Sequence, residues 1–136
     1  MNIELYITNL LNKIADNPQK ALKHEDNSIY PSAFNCLLGL VNYINGDFNS
    51  ALMNFEDAKI FLETSNDNSD KILYEFLLGY LNYSENNNIY SLHYNNAKRY
   101  ATKHNSENFL REITEIMNRI PNGSMYISAI KKDPLL

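Results

Sequence analysis

The side chains able to do chemistry are few and far apart. Three histidines (His24, His93, His104) and one cysteine (Cys36) are spread over 136 residues. No two histidines stand at the i, i+4 spacing that would put both on one helix face, so a zinc site is not expected. Cys36 lies in an apolar run between Asn35 and Leu37. Nothing beside it supplies the positive charge that activates a thiol, and a buried structural cysteine is expected. The four glycines are scattered, so no phosphate-cradling loop forms, and no serine or cysteine sits in a nucleophile motif. Carboxylate pairs such as Glu56–Asp57 and Glu112/Glu115 fall on polar helix faces, where solvation accounts for them. One pattern remains. Arg99 and His104 are separated by four residues, beside Lys98 and Lys103. At the end of a helix these four groups complement the negative pole of the helix dipole. No metal or cofactor is expected, and the chain reads as a non-enzyme.

The elements that position these residues are all helical. Ile3, Tyr6, Ile7, Leu10, Leu11 and Ile14 recur at spacings of three and four and predict a helix over 3–15, capped by Asn2. Asn17-Pro18 predicts a short second helix over 18–24, followed by a polar loop at 25–28. Pro31 opens a helix that is apolar almost all round, a pattern expected of a central element. It closes at Asn45-Gly46-Asp47, with Gly46 suited to a left-handed cap. The next helix, 48–64, shows Ala51, Leu52, Phe55, Ala58 and Leu62 as its inner stripe. A connection this short makes the two antiparallel neighbours. Further helices are predicted over 70–84 (capped by Ser69), 89–104, 106–120 (capped by Ser106) and 124–131 (capped by Ser124). The asparagines 86–88 form a break, and 133–136 a loose tail. No segment alternates as a strand would.

Length and charge narrow the class. A chain of 136 residues suits one domain, and 44% hydrophobic residues is a globular and not a disordered composition. No basic segment leads into an apolar stretch at the N-terminus, and no run approaches a membrane span, so a cytoplasmic protein is expected. A net charge of −4 argues against nucleic-acid binding. The charge is uneven. Between Asp47 and Glu75 seven acids face Lys59 and Lys71, while from His93 onward seven bases face four acids. An acidic middle of this kind can steer a basic protein partner.

The sequence also repeats itself. Phe34-Asn35-Cys36-Leu37-Leu38-Gly39-Leu40-Val41-Asn42-Tyr43 resembles Tyr74-Glu75-Phe76-Leu77-Leu78-Gly79-Tyr80-Leu81-Asn82-Tyr83, 40 residues on. In the first copy Leu38-Gly39, Gly46-Asp47-Phe48, Ala51, Phe55 and Ala58 fall at the spacing of a tetratricopeptide repeat, which this segment resembles. The second copy keeps Leu78-Gly79, but Asn87-Asn88-Ile89 stands at its turn. The resemblance implies an all-α array of antiparallel helix pairs, a tetratricopeptide-like α-solenoid of seven to eight helices in one domain, 1–136. One good repeat (31–62) and one degenerate copy (70–101) would occupy 31–104. Capping helices over 1–24 and 106–132 would close its ends, since a repeat cannot bury both its faces alone.

In that family one face of each first helix lines a concave groove. Here that face carries Leu40, Tyr43, Ile44, Phe76, Tyr80 and Tyr83, with neither Lys nor Asn placed to clamp a peptide carboxylate. Either the flanking helices cover it as core, or it binds a hydrophobic helix or peptide of a partner. Glu56, Asp57 and Glu63 form an acidic flank. The expected function is non-catalytic protein binding, first as an immunity or inhibitor protein that neutralises a basic toxin domain, alternatively as a tetratricopeptide secretion chaperone. A homodimer through the second pair is a further expectation. A minor alternative comes from Arg99-Tyr100-Ala101-Thr102-Lys103-His104, which resembles the short motif of HEPN ribonucleases. There the arginine would stabilise phosphate charge and the histidine would act in acid–base chemistry.

Overall fold

Asn2 starts the first helix by folding its side chain back, so that its Oδ1 accepts from the Leu5 N–H at 2.7 Å. Helix α1 (Ile3–Asp16) then buries the whole predicted stripe, Ile3 through Ile14. The computed structural model describes residues 2–25, 28–85 and 88–133. Six more helices follow in it: α2 (Pro31–Ile44), α3 (Phe48–Leu62), α4 (Asn68–Ser84), α5 (Tyr90–Lys103), α6 (Glu107–Met117) and α7 (Gly123–Lys132). Among the described residues there is no strand, and the class is all-α. The expected loop at 26–27, the break at 86–87 and the tail from 134 lie outside the described residues.

Several local expectations are corrected. Residues 18–24 form turns and not a helix, held by Lys20 N–H to Asn17 O (3.2 Å) and Lys23 N–H to Lys20 O (3.3 Å). So short a segment does not recover the cost of helix nucleation, and only Ala21 and Leu22 tie it to the core. Ser69 does not cap α4, which begins at Asn68. Its hydroxyl instead donates to Glu4 Oε2 of α1 at 3.0 Å. Ser106 holds the cap position of α6 without a side-chain cap bond, and α7 starts after Asn122, in the left-handed region at φ 62°, not after Ser124. Gly46 does adopt the left-handed cap, at φ 85°. The Asp47 N–H bonds back to Asn42 O at 2.8 Å, closing α2 before Asp47 caps α3 through the Ser50 N–H.

The central helix is α4, not α2. It touches all six of the others, and Ile72, Leu73, Phe76, Leu77, Tyr80 and Leu81 bury most of its circumference. α2 packs along α3, and α4 along α5, while α1 and α6 lie together across α4. Both repeated glycines mark close approaches. A Cβ on Gly39 would stand 2.6 Å from the Phe55 ring, and one on Gly79 would stand 2.4 Å from the Tyr126 hydroxyl.

One acid is part of this interior. Asp70, in the first turn of α4, is 2% exposed. Its Oδ2 accepts from Ser32 Oγ of α2 (2.5 Å) and from Ser65 Oγ of the preceding loop (2.8 Å), and its Oδ1 has no partner among the described residues. Burial pushes its carboxyl above the usual range, against the pull of the two hydroxyls.

Candidate protein-binding surface

Helix α3 needs only one buried stripe, and Ala51, Phe55 and Ala58 supply it. It nevertheless carries Phe48 and Leu52 on its outer side, 52% and 60% exposed. These two are a turn apart and form one wall of a cleft of about 620 Å3. Leu78, Leu81 and Glu85 form the opposite wall, and Tyr43 of α2 its base. The Tyr43 ring packs on Phe48 at 5.2 Å and on Tyr80 at 6.0 Å, so the cleft floor is continuous with the core. The Tyr43 hydroxyl donates to Glu85 Oε1 at 3.1 Å, fixing the acid at the cleft edge.

The acidic side chains at this end are Glu85 and Asp47, and Asp47 caps the positive N-terminal pole of α3, which starts here. α2 and α4 both terminate here, and neither has a basic residue in its last turn to offset its C-terminal dipole. Glu85 is the C-cap of α4, and Asp47 stands beside Phe48. Hydrogen bonds from Ser50 hold the Asp47 carboxyl below the usual carboxylate range. Burial raises the phenols of Tyr43 and Tyr80, the latter to about 12 against the lowering effect of Ser84, so both stay protonated and can donate.

The residues expected to line a single groove are divided. Leu40 and Phe76 are fully buried and Tyr80 is 1% exposed, which places them in the core. For Phe76 and Tyr80 the physical reason is Tyr126 of α7. Its ring is wholly buried and packs against Phe76 (5.7 Å), Tyr80 (6.0 Å) and Tyr83 (5.9 Å), with its hydroxyl donating to Phe76 O at 3.3 Å. Of the two readings left open for that face, cover by a flanking helix is what Phe76 and Tyr80 have. Tyr43 and Ile44 are half-buried, and Tyr43 alone of the six lines the cleft. Tyr83 is half-buried on the α7 side, against Tyr90 at 5.1 Å. The aromatic side of α4, on which a homodimer was expected, is the side that α7 occupies.

The acidic flank is exposed, but not as one unit. Glu56 follows Phe48 and Leu52 at steps of four along α3, so it extends the wall of the cleft. Glu63 caps the end of α3. Asp57 stands about 100° round the helix from Glu56. None of the three forms an ion pair among the described residues. Other acids of the same stretch have structural work, since Asp70 is buried and Glu75 bonds to His93 Nδ1 at 2.7 Å.

Arg99 and His104 are not brought together. Five positions apart, they point about 140° from one another. Both are exposed, and the Arg99 Nη2 is held by Asn96 Oδ1 at 2.5 Å. The hollow between α5 and α6 is lined by Lys98 and Thr102 and by neither of them. Cys36 is fully buried, and burial pushes its thiol well above the ordinary value. No described helix is long and apolar enough to cross a membrane.

Sequence reasoning missed Phe48 and Leu52 as surface residues and did not single out Leu78 or Glu85. A signal was available. α3 carries Phe48, Leu52, Met53, Ile60 and Phe61 in addition to its buried stripe, more apolar residues than a helix with one covered face needs. Comparison with protein-family models, curated proteins and solved structures finds no match to this chain.

Proposed function

We propose that this chain is a non-catalytic protein-interaction module of tetratricopeptide-like helix pairs, acting as an immunity or inhibitor protein that sequesters a basic toxin domain. The observation that carries the reading is the apolar cleft at the ends of α2 and α4, with acidic α3 running from its wall. Apolar surface held open beside unpaired acids suits a partner that brings both a hydrophobic contact and positive charge. The repeat resemblance supports the architecture: α2 with α3 and α4 with α5 are the two intimately packed pairs, and a Cβ at Gly39 or Gly79 would crowd a carbonyl of the pair partner, Ala51 O at 3.3 Å and Tyr90 O at 3.1 Å.

Inhibition by sequestration needs fast capture, which acidic steering supplies. The test is binding to the purified product of the neighbouring gene, with rates measured at several salt concentrations. Glu56→Gln, Asp57→Asn and Glu63→Gln together are expected to slow association about tenfold at low salt and to flatten its salt dependence. Association that is insensitive to salt and to these three changes would refute the charge argument. The secretion-chaperone alternative draws on the same apolar cleft. It predicts that truncating Tyr43 loses an unfolded or helical client while a folded toxin is never bound.

A further inference from the structure

The chemistry of the cleft goes further than protein binding in general, although it rests on that reading. We propose that the cleft between α3 and α4 receives one face of an amphipathic α-helix from the partner. Its apolar residues would lie on Phe48, Leu52 and Leu78, and an arginine or lysine would lie against Glu85.

Three observations select this occupant. The first is the backbone of the cleft. Its walls are helices, which outside their terminal turns pair their own N–H and C=O groups and present no strand edge. An extended peptide would enter with its own backbone groups unsatisfied and find no edge to pair with, whereas a helix brings those bonds already made. The second is shape. Phe48 and Leu52 on one side and Leu78 and Leu81 on the other are each a turn or less apart along their helices, so the walls run as ridges, and a third helix packs into such a groove. The third is charge. Among the described residues Glu85 is the one charged residue lining the cleft; α2 and α4 end beside it while α3 begins there, so the helix dipoles offset one another and the Glu85 carboxylate sets the sign. A cation on the incoming helix can pair with Glu85, and an anion there would be repelled by it.

The neighbouring hollows do not compete. The one between α5 and α6 mixes Lys98, Arg111 and Lys131 with Glu107 and Glu115, so it presents no single sign. The hollow beside Tyr83 is closed below by Tyr126 packed on that ring.

The experiment uses the whole chain and three labelled peptides of about 18 residues, long enough to hold a helix. One carries leucines at i, i+4 and i+7 flanked by arginines. One has the same leucines flanked by glutamates. One is the basic peptide with a central proline. Binding is followed by fluorescence anisotropy at low and at physiological salt. The basic helix is expected to bind at least about tenfold more tightly than the acidic or the proline-broken peptide, and more weakly as salt rises. Leu52→Asp is expected to weaken it about tenfold. Because Leu52 is 60% exposed, this change leaves the fold intact, as circular dichroism would confirm. Glu85→Gln is expected to weaken it about threefold and reduce the salt dependence, while Met125→Asp, at an exposed site on α7, leaves binding unchanged. Equal binding of the basic and acidic peptides, tight binding of the proline-broken peptide, no binding of any, or indifference to Leu52→Asp would each overturn the proposal. These failures are separate from failure of the inhibitor reading, which is decided by the neighbouring gene's product and the three α3 acids.

Discussion

The seat of Tyr126 on Gly79 can be tested by a double-mutant cycle. A Cβ at position 79 would stand 2.4 Å from the Tyr126 hydroxyl and 3.1 Å from the Tyr90 carbonyl. The hydroxyl cannot swing away into water, because the ring is fully buried among Phe76, Tyr80, Tyr83 and Tyr90. Gly79→Ala therefore overpacks a filled site, at a cost of about 1–3 kcal/mol. Alanine also favours a helix interior over glycine by roughly 0.5–1 kcal/mol, which works in the opposite direction. The net expectation is a loss of about 0.5–2 kcal/mol, because overpacking outweighs propensity. Tyr126→Phe alone loses one long buried hydrogen bond, about 0.5–1.5 kcal/mol. Together they should cost less than their sum, because removing the hydroxyl removes the nearest clash. The expected coupling is about 1 kcal/mol, read from urea denaturation followed by circular dichroism. Recovery should be incomplete, since the Tyr90 carbonyl stays where it is. Strict additivity, or a stabilising Gly79→Ala, would show that α7 does not sit on α4 as described.

Two other changes probe single features. Asp70 has its carboxyl raised by burial, so in the unfolded chain it ionises at lower pH than in the folded one. Its contribution is fully present below the unfolded carboxylate range and is lost as pH rises through the folded value. Asp70→Asn should therefore raise the melting temperature at pH 7 relative to the parent chain and bring the two together near pH 3. A larger loss at pH 7 than at pH 4 would mean that the ionised form is the one the fold prefers. At Gly46, φ is 85° with nothing within 4 Å of a Cβ, so Gly46→Ala should cost about 1–2 kcal/mol through backbone strain alone. Gly46→Asn should cost less, and equal losses measured by thermal denaturation would place the cause elsewhere.

What was legible in the sequence was local. The stripe from Ile3 to Ile14, proline at the start of α2 and the Gly46 cap each depend on residues within a few positions, and all three stand as read. What was illegible was set by distant contacts. Phe76 and Tyr80 carry the pattern of a groove face, and nothing near them in sequence says that it is filled. Tyr126, whose hydroxyl meets the Phe76 carbonyl across 50 residues, fills it. Ser69 has the chemistry of a cap, but its hydroxyl finds Glu4, 65 residues away. The acids between Asp47 and Glu75 read as one patch, and contacts divided them into a cap, a buried staple, a histidine partner and an exposed remainder.

That division decides where a partner can bind. A stack of helix pairs has two broad faces and two ends, and apolar surface left on any of them needs cover. Here α1, α6 and α7 spend their apolar stripes on the inner side of α4 and its neighbours, and Tyr126 closes the aromatic part of it. At the same end of α4, where α2 turns into α3, no described helix covers the outer side of α3. Phe48 and Leu52 are open there and line the cleft. The same end holds the C-termini of α2 and α4, the N-terminus of α3 capped by Asp47, and Glu85. Apolar exposure and the carboxylate of Glu85 meet in one cleft, on a side of α4 that Tyr126 does not cover. A partner helix with an apolar face and a cation supplies what an eighth helix would have supplied.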